Sequence, residues 1–306
     1  MQHITDAMVD TLVSADEALQ SMRSAFAAFG SGEAAMQSRE RTDAGGVKLS
    51  TLGAVIPTQG VAGAKVYTTI EGRFDFVILL FSTETGRPLA TMQANAITRL
   101  RTAATTLLAA QELAPRDAQH LFLCGAGVQG FTHAVQFARH FPLRRIQVFD
   151  PYAPDDVVAR LQAATGADVQ RVADTSGVGS AQLVVTASRS TAPLFPGESI
   201  ANGAFVAAIG SSLPHTRELD DAALRRAGSI VVEWRKQALS EAGDLVLAAP
   251  ELCIRDKVIE LGELVSGSRK APQAGDGIVL YKAVGVGLED IALAGVAYAN
   301  LKKRGG

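Results

Sequence analysis

Three glycines that follow an apolar run carry the clearest chemical signal in the sequence. The stretch "LFLCGAGVQGF" places Gly125, Gly127 and Gly130 between a predicted strand and a predicted helix, and Asp150 closes the next predicted strand. In a dinucleotide-binding turn the first glycine makes the bend, the second lets the backbone approach a pyrophosphate, and the third lets the helix pack on the strand. The pattern predicts such a turn; a structural strand–helix turn without a ligand is the alternative.

Asp150 also bears on which dinucleotide would bind. An acidic residue at this position hydrogen-bonds the ribose hydroxyls and repels a 2′-phosphate. The following "FDPYAPDD" offers no arginine to hold such a phosphate, although a neighbouring loop could supply a cation. We therefore expect NAD(H) rather than NADP(H).

Three cations in the first third of the chain form a second candidate set. Arg39 lies in "QSRERTD", Lys65 in "VAGAKVYTT" and Arg101 in "TRLRTAATTLLAA", and the last two segments are largely apolar. A buried cation needs a partner, because an unpaired one costs several kcal/mol. A bound carboxylate is one possible partner, which arginine grips with two parallel hydrogen bonds. A structural salt bridge, or a charge that reaches solvent, is the other.

Cysteine and histidine suggest no further chemistry. Cys124 and Cys253 are far apart and are expected to be packing residues, which fits a reducing compartment. His133 falls in the helix after the glycine turn, where packing or surface exposure is expected. The spacing of these residue types indicates neither a metal site nor a Ser-His-Asp arrangement.

The predicted elements divide the chain into two parts. Ser14 and Glu17 form a capping box for a helix over 14–30, and residues 95–113 have a second helical pattern. Strands are predicted between them, at 47–57, 62–70, 74–82 and 89–93. After residue 118 strands and helices alternate, with one helix expected over 217–227, which predicts a parallel sheet with both faces covered. We expect an α/β protein with an α+β domain at 1–115, joined by the C-terminal helix 288–306, and a Rossmann domain at 116–287.

Length and charge limit the class of protein. A chain of 306 residues is long for a single core, and its net charge of −2 offers no field that attracts nucleic acid or an anionic membrane. Its apolar runs fall short of the ~20 residues of a membrane span. The start "MQHITDAMVDTL" lacks the basic and apolar regions of a signal peptide. A soluble cytoplasmic protein is expected.

Several motifs together resemble the ornithine cyclodeaminase/μ-crystallin family. The resemblance covers nearly the whole chain. The motifs are "GAK" (63–65), "LFSTETGRPLA" (80–90), "LRTAATTLLAA" (100–110), "CGAGVQG" (124–130), "VVTASRSTAPLF" (184–195), "AIGSSLPHTRELD" (208–220) and "YKAVGVGLEDIA" (281–292).

This resemblance implies roles for particular residues. Arg39, Lys65 and Arg101 match a basic trio that binds the substrate carboxylate, with Arg41 a rival for the first place, and Lys65 and Arg101 are also the expected catalytic residues. His215 lies near a segment that carries active-site residues in the family. The residues expected to line the cofactor are Gly125, Ala126, Gly127, Val128, Gln129, Asp150, Thr186, Ala187, Ser188, Val286 and Gly287. The resemblance also implies homodimers in which the first, substrate-binding domains pair their sheets.

Two departures from the family pattern bear on the reaction. Cyclodeaminases carry an aspartate where this chain reads Gly210-Ser211-Ser212, and a glutamate where it has Ser50. A serine cannot shuttle protons with the basicity of a carboxylate. "EGRFDF" (71–76) also replaces a stretch that ends in a substrate-contacting threonine.

We therefore expect an NAD(P)-dependent imine reductase or amino-acid dehydrogenase. It would act by hydride transfer on a small imino, amino or 2-oxo acid such as Δ1-pyrroline-2-carboxylate. An ornithine cyclodeaminase, or a small-ligand-binding protein without turnover, is the alternative.

Overall fold

The computed structural model describes residues 1–305, which fold as two compact units. The first unit contains Met1–Thr105, Gly262–Arg269 and the segment from Gly285 on. The second contains Thr106–Leu261 and Lys270–Val284. The domain limits expected from the sequence, at 115 and 288, stay predictions.

The first unit is built on a six-stranded sheet with the order β1-β6-β5-β4-β3-β2, in which β1 and β6 are parallel and the remaining pairs antiparallel. Its strands are β1 (Gln2–Ile4), β2 (Ala35–Ala44), β3 (Val47–Ile56), β4 (Val61–Ile70), β5 (Arg73–Ser82) and β6 (Pro88–Gln93). Its helices are α1 (Asp6–Leu12), α2 (Ala15–Gly30), α3 (Asn95–Leu113, of which residues up to Thr105 belong here), α10 (Leu261–Val265, from Gly262 on) and α11 (Gly287–Arg304).

Helix α11 packs on β3, β4 and α2. The backbones of α11 and the sheet approach each other so closely that two positions at this contact are glycine. A Cβ on Gly287, the first residue of α11, would overlap the backbone of Gly53 in β3, and one on Gly63 in β4 would lie 3.0 Å from Ile291 Cδ1 of α11. The C-terminal helix is thereby fixed against one face of the sheet.

The predicted helices and the four predicted strands of this unit are confirmed, whereas β1, α1, α10 and the polar strand β2 were not predicted. The capping box predicted at Ser14 and Glu17 is present, and α3 begins and ends where the helical pattern predicts. Strand β2 reads "AMQSRERTDA" and lacks an apolar alternation, so it has no strand signal of its own. It exists because it pairs with β3, with a bulge between Gln37 and Glu40.

The second unit contains an all-parallel sheet with the order β13-β12-β14-β11-β10-β7-β8-β9. Its strands are β7 (His120–Cys124), β8 (Arg145–Phe149), β9 (Asp168–Arg171), β10 (Leu183–Thr186), β11 (Phe205–Ala208), β12 (Ala227–Val232), β13 (Val258–Glu260) and β14 (Ile278–Lys282). Its helices are α4 (Val128–His140), α5 (Val157–Thr165), α6 (Asp221–Arg226), α7 (Arg235–Glu241), α8 (Gly243–Val246) and α9 (Ile254–Lys257). The central strands are wholly buried, as expected for a parallel sheet covered on both faces. The predicted Rossmann architecture is confirmed.

Two expectations within this unit were wrong. The helix predicted over 217–227 begins only at Asp221, because the Asp220 side chain accepts a hydrogen bond from the Ala223 N–H and caps it there. Cys253 is exposed, with a φ of 47°, and is not a packing residue, whereas Cys124 is buried as expected. Among residues 1–305 no helix is long and apolar enough to cross a membrane.

Candidate functional site

The glycine turn has the geometry that its sequence predicts. Gly125 has a φ of +88°, and a Cβ there would lie 2.7 Å from the carbonyl oxygen of Ala187. A Cβ on Gly130 would overlap the carbonyl oxygen of Gly125, so the third glycine allows α4 to pack closely on the turn. Gly127 is the N-cap of α4, and a Cβ there would meet no atom within 4 Å. Steric packing therefore requires the first and third glycines but leaves the second facing open space.

Asp150 is fixed against this turn. Its Oδ2 accepts a hydrogen bond of 2.8 Å from the Ala126 N–H, and its Oδ1 accepts one of 2.9 Å from the Tyr152 N–H. Arg171, the last residue of β9, donates to the main-chain oxygen of Asp150 at 3.0 Å. The sequence could not place this cation, because β9 is distant along the chain. The turn, Asp150 and the segment 187–191 line a cleft of about 620 Å³.

The segment Thr186–Ser188 is held in place by a buried carboxylate that the sequence argument missed. Glu218 is fully buried and accepts hydrogen bonds from the Thr186 hydroxyl at 2.9 Å and from the Ser188 N–H at 2.8 Å. It also accepts one from the Gly210 N–H at 2.8 Å. One side chain thus joins two loops that follow neighbouring strands. In the sequence, this role of Glu218 is indicated only by an acidic residue within the motif "AIGSSLPHTRELD".

The "GSS" segment, where the family pattern has an aspartate, is structurally engaged. The Ser211 hydroxyl donates to the main-chain oxygen of Thr216 at 2.5 Å, and its carbonyl oxygen accepts from Lys282 Nζ at 2.6 Å. Lys282 in turn lies 2.9 Å from a carboxylate oxygen of Asp244, and both side chains are fully buried. Ser211 therefore stabilises the loop and supplies no acid or base.

The two histidines singled out in the sequence differ in environment. His133 is fully buried, its Nδ1 2.7 Å from the Gln129 carbonyl oxygen and its Nε2 3.0 Å from the Thr106 hydroxyl. Burial lowers its pKa to about 4, so it stays neutral and packs, as predicted. His215 is exposed. Among residues 1–305 no group of His, Cys, Asp and Glu could hold a metal ion.

Lys65 and Arg101 lie together in the first unit, both buried. Lys65 Nζ is 2.9 Å from Asp290 Oδ1 and 3.2 Å from the Thr98 hydroxyl. Arg101 Nε donates to the same Asp290 oxygen at 3.2 Å, and its Nη1 donates to Glu289 Oε2. The salt-bridge partners that the sequence left open are therefore two adjacent carboxylates at the start of α11.

Gly285 brings a third cation to this cluster. Arg39 Nη2 donates to the Gly285 carbonyl oxygen at 2.7 Å. Gly285 has a φ of +74°, and a Cβ there would lie 2.8 Å from Arg101 Nη1, so both the backbone and the space require glycine. Arg39 also acts electrostatically on both Lys65 and Asp290. Arg39 thus contacts this cluster, whereas its rival Arg41 lies opposite Ser50 in the sheet register, and the choice between them as carboxylate ligand stays a prediction.

We call Arg39, Lys65, Arg101, Glu289 and Asp290 the charged cluster. Its three cations and two carboxylates lie together in the first unit. Sequence reasoning missed Glu289 and Asp290, although "GVGLEDIALAGVA" carried a signal, because two acids within an apolar helix need partners as much as Arg101 does.

Burial opposes the charged forms of both Lys65 and Asp290, and the opposite charge beside each group counteracts that effect. Burial lowers the pKa of Lys65 to about 8, even though Asp290 counteracts part of that shift. Burial opposes ionisation of Asp290, but the Lys65 ammonium and Arg101 guanidinium hold the pKa of that carboxyl below its ordinary value. Asp290 Oδ2 has no hydrogen-bond partner among the described residues. The cluster thus contains an ammonium that gives up its proton near pH 8, beside an ionised carboxylate.

Val286 and Gly287 begin α11 and belong to the same unit as the charged cluster. Val286 is the N-cap and is fully buried. Their position directly before Glu289 follows from the chain, and their expected place near a nicotinamide stays a prediction.

Two curated relatives are similar to this chain. The ketimine reductase mu-crystallin of Mus musculus is 31% identical over 222 residues, which are 72% of this chain and 68% of that protein. The Δ1-pyrroline-2-carboxylate reductase of Bacillus cereus (strain ZK / E33L) is 30% identical over 276 residues, 87% of this chain and 80% of that protein.

Solved structures resemble it over nearly its full length. A probable ornithine cyclodeaminase from Bordetella pertussis Tohama I is 57% identical with a TM-score of 0.97, covering 99% of this chain and 98% of that one. An archaeal alanine dehydrogenase dimer with bound NAD is 25% identical with a TM-score of 0.90, covering 100% and 97%. The model of the ornithine cyclodeaminase/mu-crystallin family matches residues 1–305. This chain therefore belongs to the ornithine cyclodeaminase/mu-crystallin family.

Proposed function

We propose that this protein is a nicotinamide-dependent oxidoreductase that transfers hydride to or from the α-carbon of a small imino or amino acid. The observation that carries the proposal is the charged cluster, which brings Arg39, Lys65 and Arg101 together in the first unit. The glycine turn in the second unit supports the same conclusion, because a hydride carrier must be held by its pyrophosphate and ribose. The bound NAD of the archaeal alanine dehydrogenase agrees with it.

In the proposed reaction the substrate carboxylate binds to Arg39 and Arg101. Arginine holds a carboxylate through two parallel hydrogen bonds, which fixes the orientation of the neighbouring α-carbon. Orientation of this kind lowers a barrier by several kcal/mol. Glu289 and Asp290 keep the arginine and lysine side chains in place before the substrate arrives.

The glycine turn and Asp150 would hold a reduced nicotinamide dinucleotide, which when bound would supply the hydride for the new C–H bond at the imine carbon. The imine π-electron pair moves to nitrogen, which takes one proton, so an imino acid and a reduced carrier become an amino acid and an oxidised carrier. Lys65 exchanges protons near pH 8 and is the group that replaces this proton through water.

NAD(H) is the preferred carrier in this proposal. The Asp150 carboxylate is held against the glycine turn by the Ala126 N–H. In this proposal it would accept hydrogen bonds from the ribose hydroxyls and repel a 2′-phosphate. Arg171 is occupied by main-chain oxygens of Asp150 and Pro151. Because Arg171 lies close to Asp150, the preference for NADH over NADPH is to be measured with the two carriers at equal concentration.

A substrate screen tests the proposed activity. Oxidation of NADH and NADPH is followed with cyclic imines, and with 2-oxo acids plus ammonia or methylamine, for the unmodified protein and Arg101→Ala. Loss of the arginine should lower kcat/KM at least 100-fold for every substrate turned over, whereas the exposed Arg116→Ala should match the unmodified protein. An Arg101→Ala protein with unchanged kcat/KM would rule out the carboxylate clamp.

Ornithine cyclodeamination is the second candidate, favoured by 57% identity to the probable cyclodeaminase of Bordetella pertussis. Ser50 and the "GSS" segment argue against it, because they bring hydroxyls where the reaction needs carboxylates. Ammonia release from ornithine with catalytic amounts of NAD⁺ would establish this alternative.

We also propose that the protein is a homodimer. One face of the first unit's sheet exposes apolar side chains on two strands, each 37–47% accessible: Val47, Leu49, Val55, Val77, Leu79 and Phe81. Contiguous apolar surface of this kind marks a protein interface. The dimeric archaeal alanine dehydrogenase agrees with this arrangement.

A further inference from the structure

A group of aromatic rings adjoins the charged cluster on the same face of the sheet. Side chains alternate between the faces of a strand, so Tyr67 in β4 shares a face with Lys65, and their partners in β5 are Phe76 and Ile78. The Phe76 ring centroid lies 4.6 Å from Lys65 Nζ. The rings of Tyr67 and Phe74 both lie 4.9 Å from that of Phe76.

The aromatic group is open to solvent at one end. Phe74 is 47% exposed, although its ring belongs to a cluster that begins at a buried lysine. The turn Glu71-Gly72, with both residues at positive φ, joins β4 to β5 next to it. Apolar surface beside a cationic site is suited to a ligand that has a carboxylate at one end and an apolar group at the other.

The buried hydroxyl of Ser50 is an independent observation that points to a ligand beside the aromatic rings. It lies opposite Tyr67 in the register of β3 and β4, its side chain is 1% exposed, and its hydroxyl has no hydrogen-bond partner among the described residues. A buried hydroxyl without a partner costs about 1–3 kcal/mol. A bound molecule that contributes a polar atom would remove that cost.

Charge decides what kind of side chain fits. On the face that Lys65 shares, strands β3, β4 and β5 carry no carboxylate, and alternation places Asp75 on the other face. On the edge strand β2 the same face carries Asp43, which lies opposite Lys48 and 3.5 Å from its Nζ. Glu289 and Asp290 are likewise paired with cations. A second ammonium group on the ligand would therefore compete with these cations for a counter-ion and would be repelled by Lys65.

We infer that the substrate carries a neutral, apolar side chain of branched or aromatic type, which packs on Phe74 and Phe76. The charged cluster holds its carboxylate, the rings contact its side chain, and the Ser50 hydroxyl hydrogen-bonds a polar atom of the bound molecule. This inference rests on the proposed function and narrows it to imino or 2-oxo acids related to leucine- or phenylalanine-like amino acids.

The test compares kcat/KM across 2-oxo acids presented with the same amine and NADH. The set contains phenylpyruvate, 4-methyl-2-oxopentanoate, pyruvate and oxaloacetate, with ornithine assayed separately in the oxidative direction with NAD⁺. We expect at least tenfold higher kcat/KM for the two apolar acids than for pyruvate. Preference for oxaloacetate or for ornithine would overturn the inference.

Phe74→Ala is the informative variant, because Phe74 is exposed and its loss should be tolerated by the fold. It should reduce kcat/KM about tenfold for phenylpyruvate and less than twofold for pyruvate. Leu247→Ala, which removes an exposed apolar side chain of the second unit, should change neither value. An equal loss on both substrates in Phe74→Ala, or an equal effect of Leu247→Ala, would contradict a specific side-chain contact.

A binding measurement separates this inference from the proposed activity. The thermal midpoint of the protein is measured with L-phenylalanine, L-leucine, L-ornithine and L-aspartate in the presence of NADH. If nothing is turned over but L-phenylalanine and L-leucine alone raise the midpoint, the activity fails and the inference about the ligand stands. If pyruvate is turned over but apolar ligands neither bind nor react, the inference fails alone.

Discussion

Lys65 Nζ lies 2.9 Å from Asp290 Oδ1, and both side chains are buried although 225 positions separate them in the chain. Strand β4 carries the lysine and the first turn of α11 carries the aspartate. Removing one partner of such a pair costs about 3–5 kcal/mol, because the other charge is then left uncompensated. This contact therefore fixes the C-terminal helix to the sheet, and it raises the pKa of Lys65 against the larger effect of burial, which lowers it.

The first prediction concerns pH. Because the Lys65 pKa is lowered to about 8, the lysine is cationic below that pH and neutral above it. Only the cation attracts a carboxylate, so kcat/KM, which reports groups of the free enzyme, should fall as pH rises through about 8. Lys65→Arg, whose charge persists to high pH, should show no such fall, even if its kcat is lower. A profile that is flat to pH 10 in the unmodified protein would exclude this role for Lys65.

The second prediction concerns the partner of that lysine. Asp290→Asn keeps a hydrogen-bond acceptor but removes the negative charge that raises the Lys65 pKa. The fall in kcat/KM should therefore move to lower pH by about one unit or more, because one unit corresponds to ~1.4 kcal/mol of lost interaction. The variant Asp117→Asn, at an exposed position, is the matched control and should leave the pH profile of kcat/KM unshifted. The same break point in Asp290→Asn and the unmodified protein would show that the pair is uncoupled.

The third prediction separates the roles of two glycines. Gly127→Ala adds a Cβ that meets no protein atom, so the thermal midpoint should change little. A pyrophosphate close to that backbone would be obstructed, and the affinity for NADH should fall at least tenfold. Gly130→Ala should instead destabilise the fold, because its Cβ overlaps the Gly125 carbonyl oxygen. Fluorescence titration with NADH and thermal unfolding measure both effects, and undiminished NADH binding by Gly127→Ala would place the dinucleotide elsewhere.

The fourth prediction concerns the choice between the two carriers. Asp150→Asn keeps an acceptor for the Ala126 N–H and removes the charge that repels a 2′-phosphate. The ratio of Kd for NADPH to Kd for NADH should fall about tenfold, which corresponds to ~1.4 kcal/mol. Asp117→Asn, at an exposed position outside this cleft, is the control. No change in the ratio would mean that Asp150 does not face the ribose.

The fifth prediction concerns the exposed apolar face of the first unit. Leu79→Lys introduces a charge on β5 where the side chain is 38% exposed, so a monomer should tolerate it. In a dimer that buries this face, the charge would lose its hydration without a partner, and the dissociation constant should rise at least 100-fold. Sedimentation at several concentrations measures this. An unmodified protein that sediments as a monomer would contradict the proposed interface.

The sequence predicted those parts of the fold that have their own local signals. The capping box at Ser14, the alternation of β4 and β5, and the glycines of the turn each depend on residues close together in the chain. Strand β2 lacked such a signal, because its pairing with β3 and not its composition makes it a strand. The helix at 217–227 was predicted too long for a related reason, since Asp220 competes for the backbone as a cap.

By itself, the sequence determined the family, the Rossmann architecture and the three cations Arg39, Lys65 and Arg101 as a candidate carboxylate site. Only the tertiary structure decided which carboxylates pair with Lys65 and Arg101, and that Arg39 joins them through the Gly285 carbonyl oxygen. It also showed that Phe76 covers Lys65 and that the Ser50 hydroxyl lacks a partner. The physical reason is that charge balance and burial depend on side chains brought together from β3, β4, β5 and α11, and no local pattern records how distant segments meet.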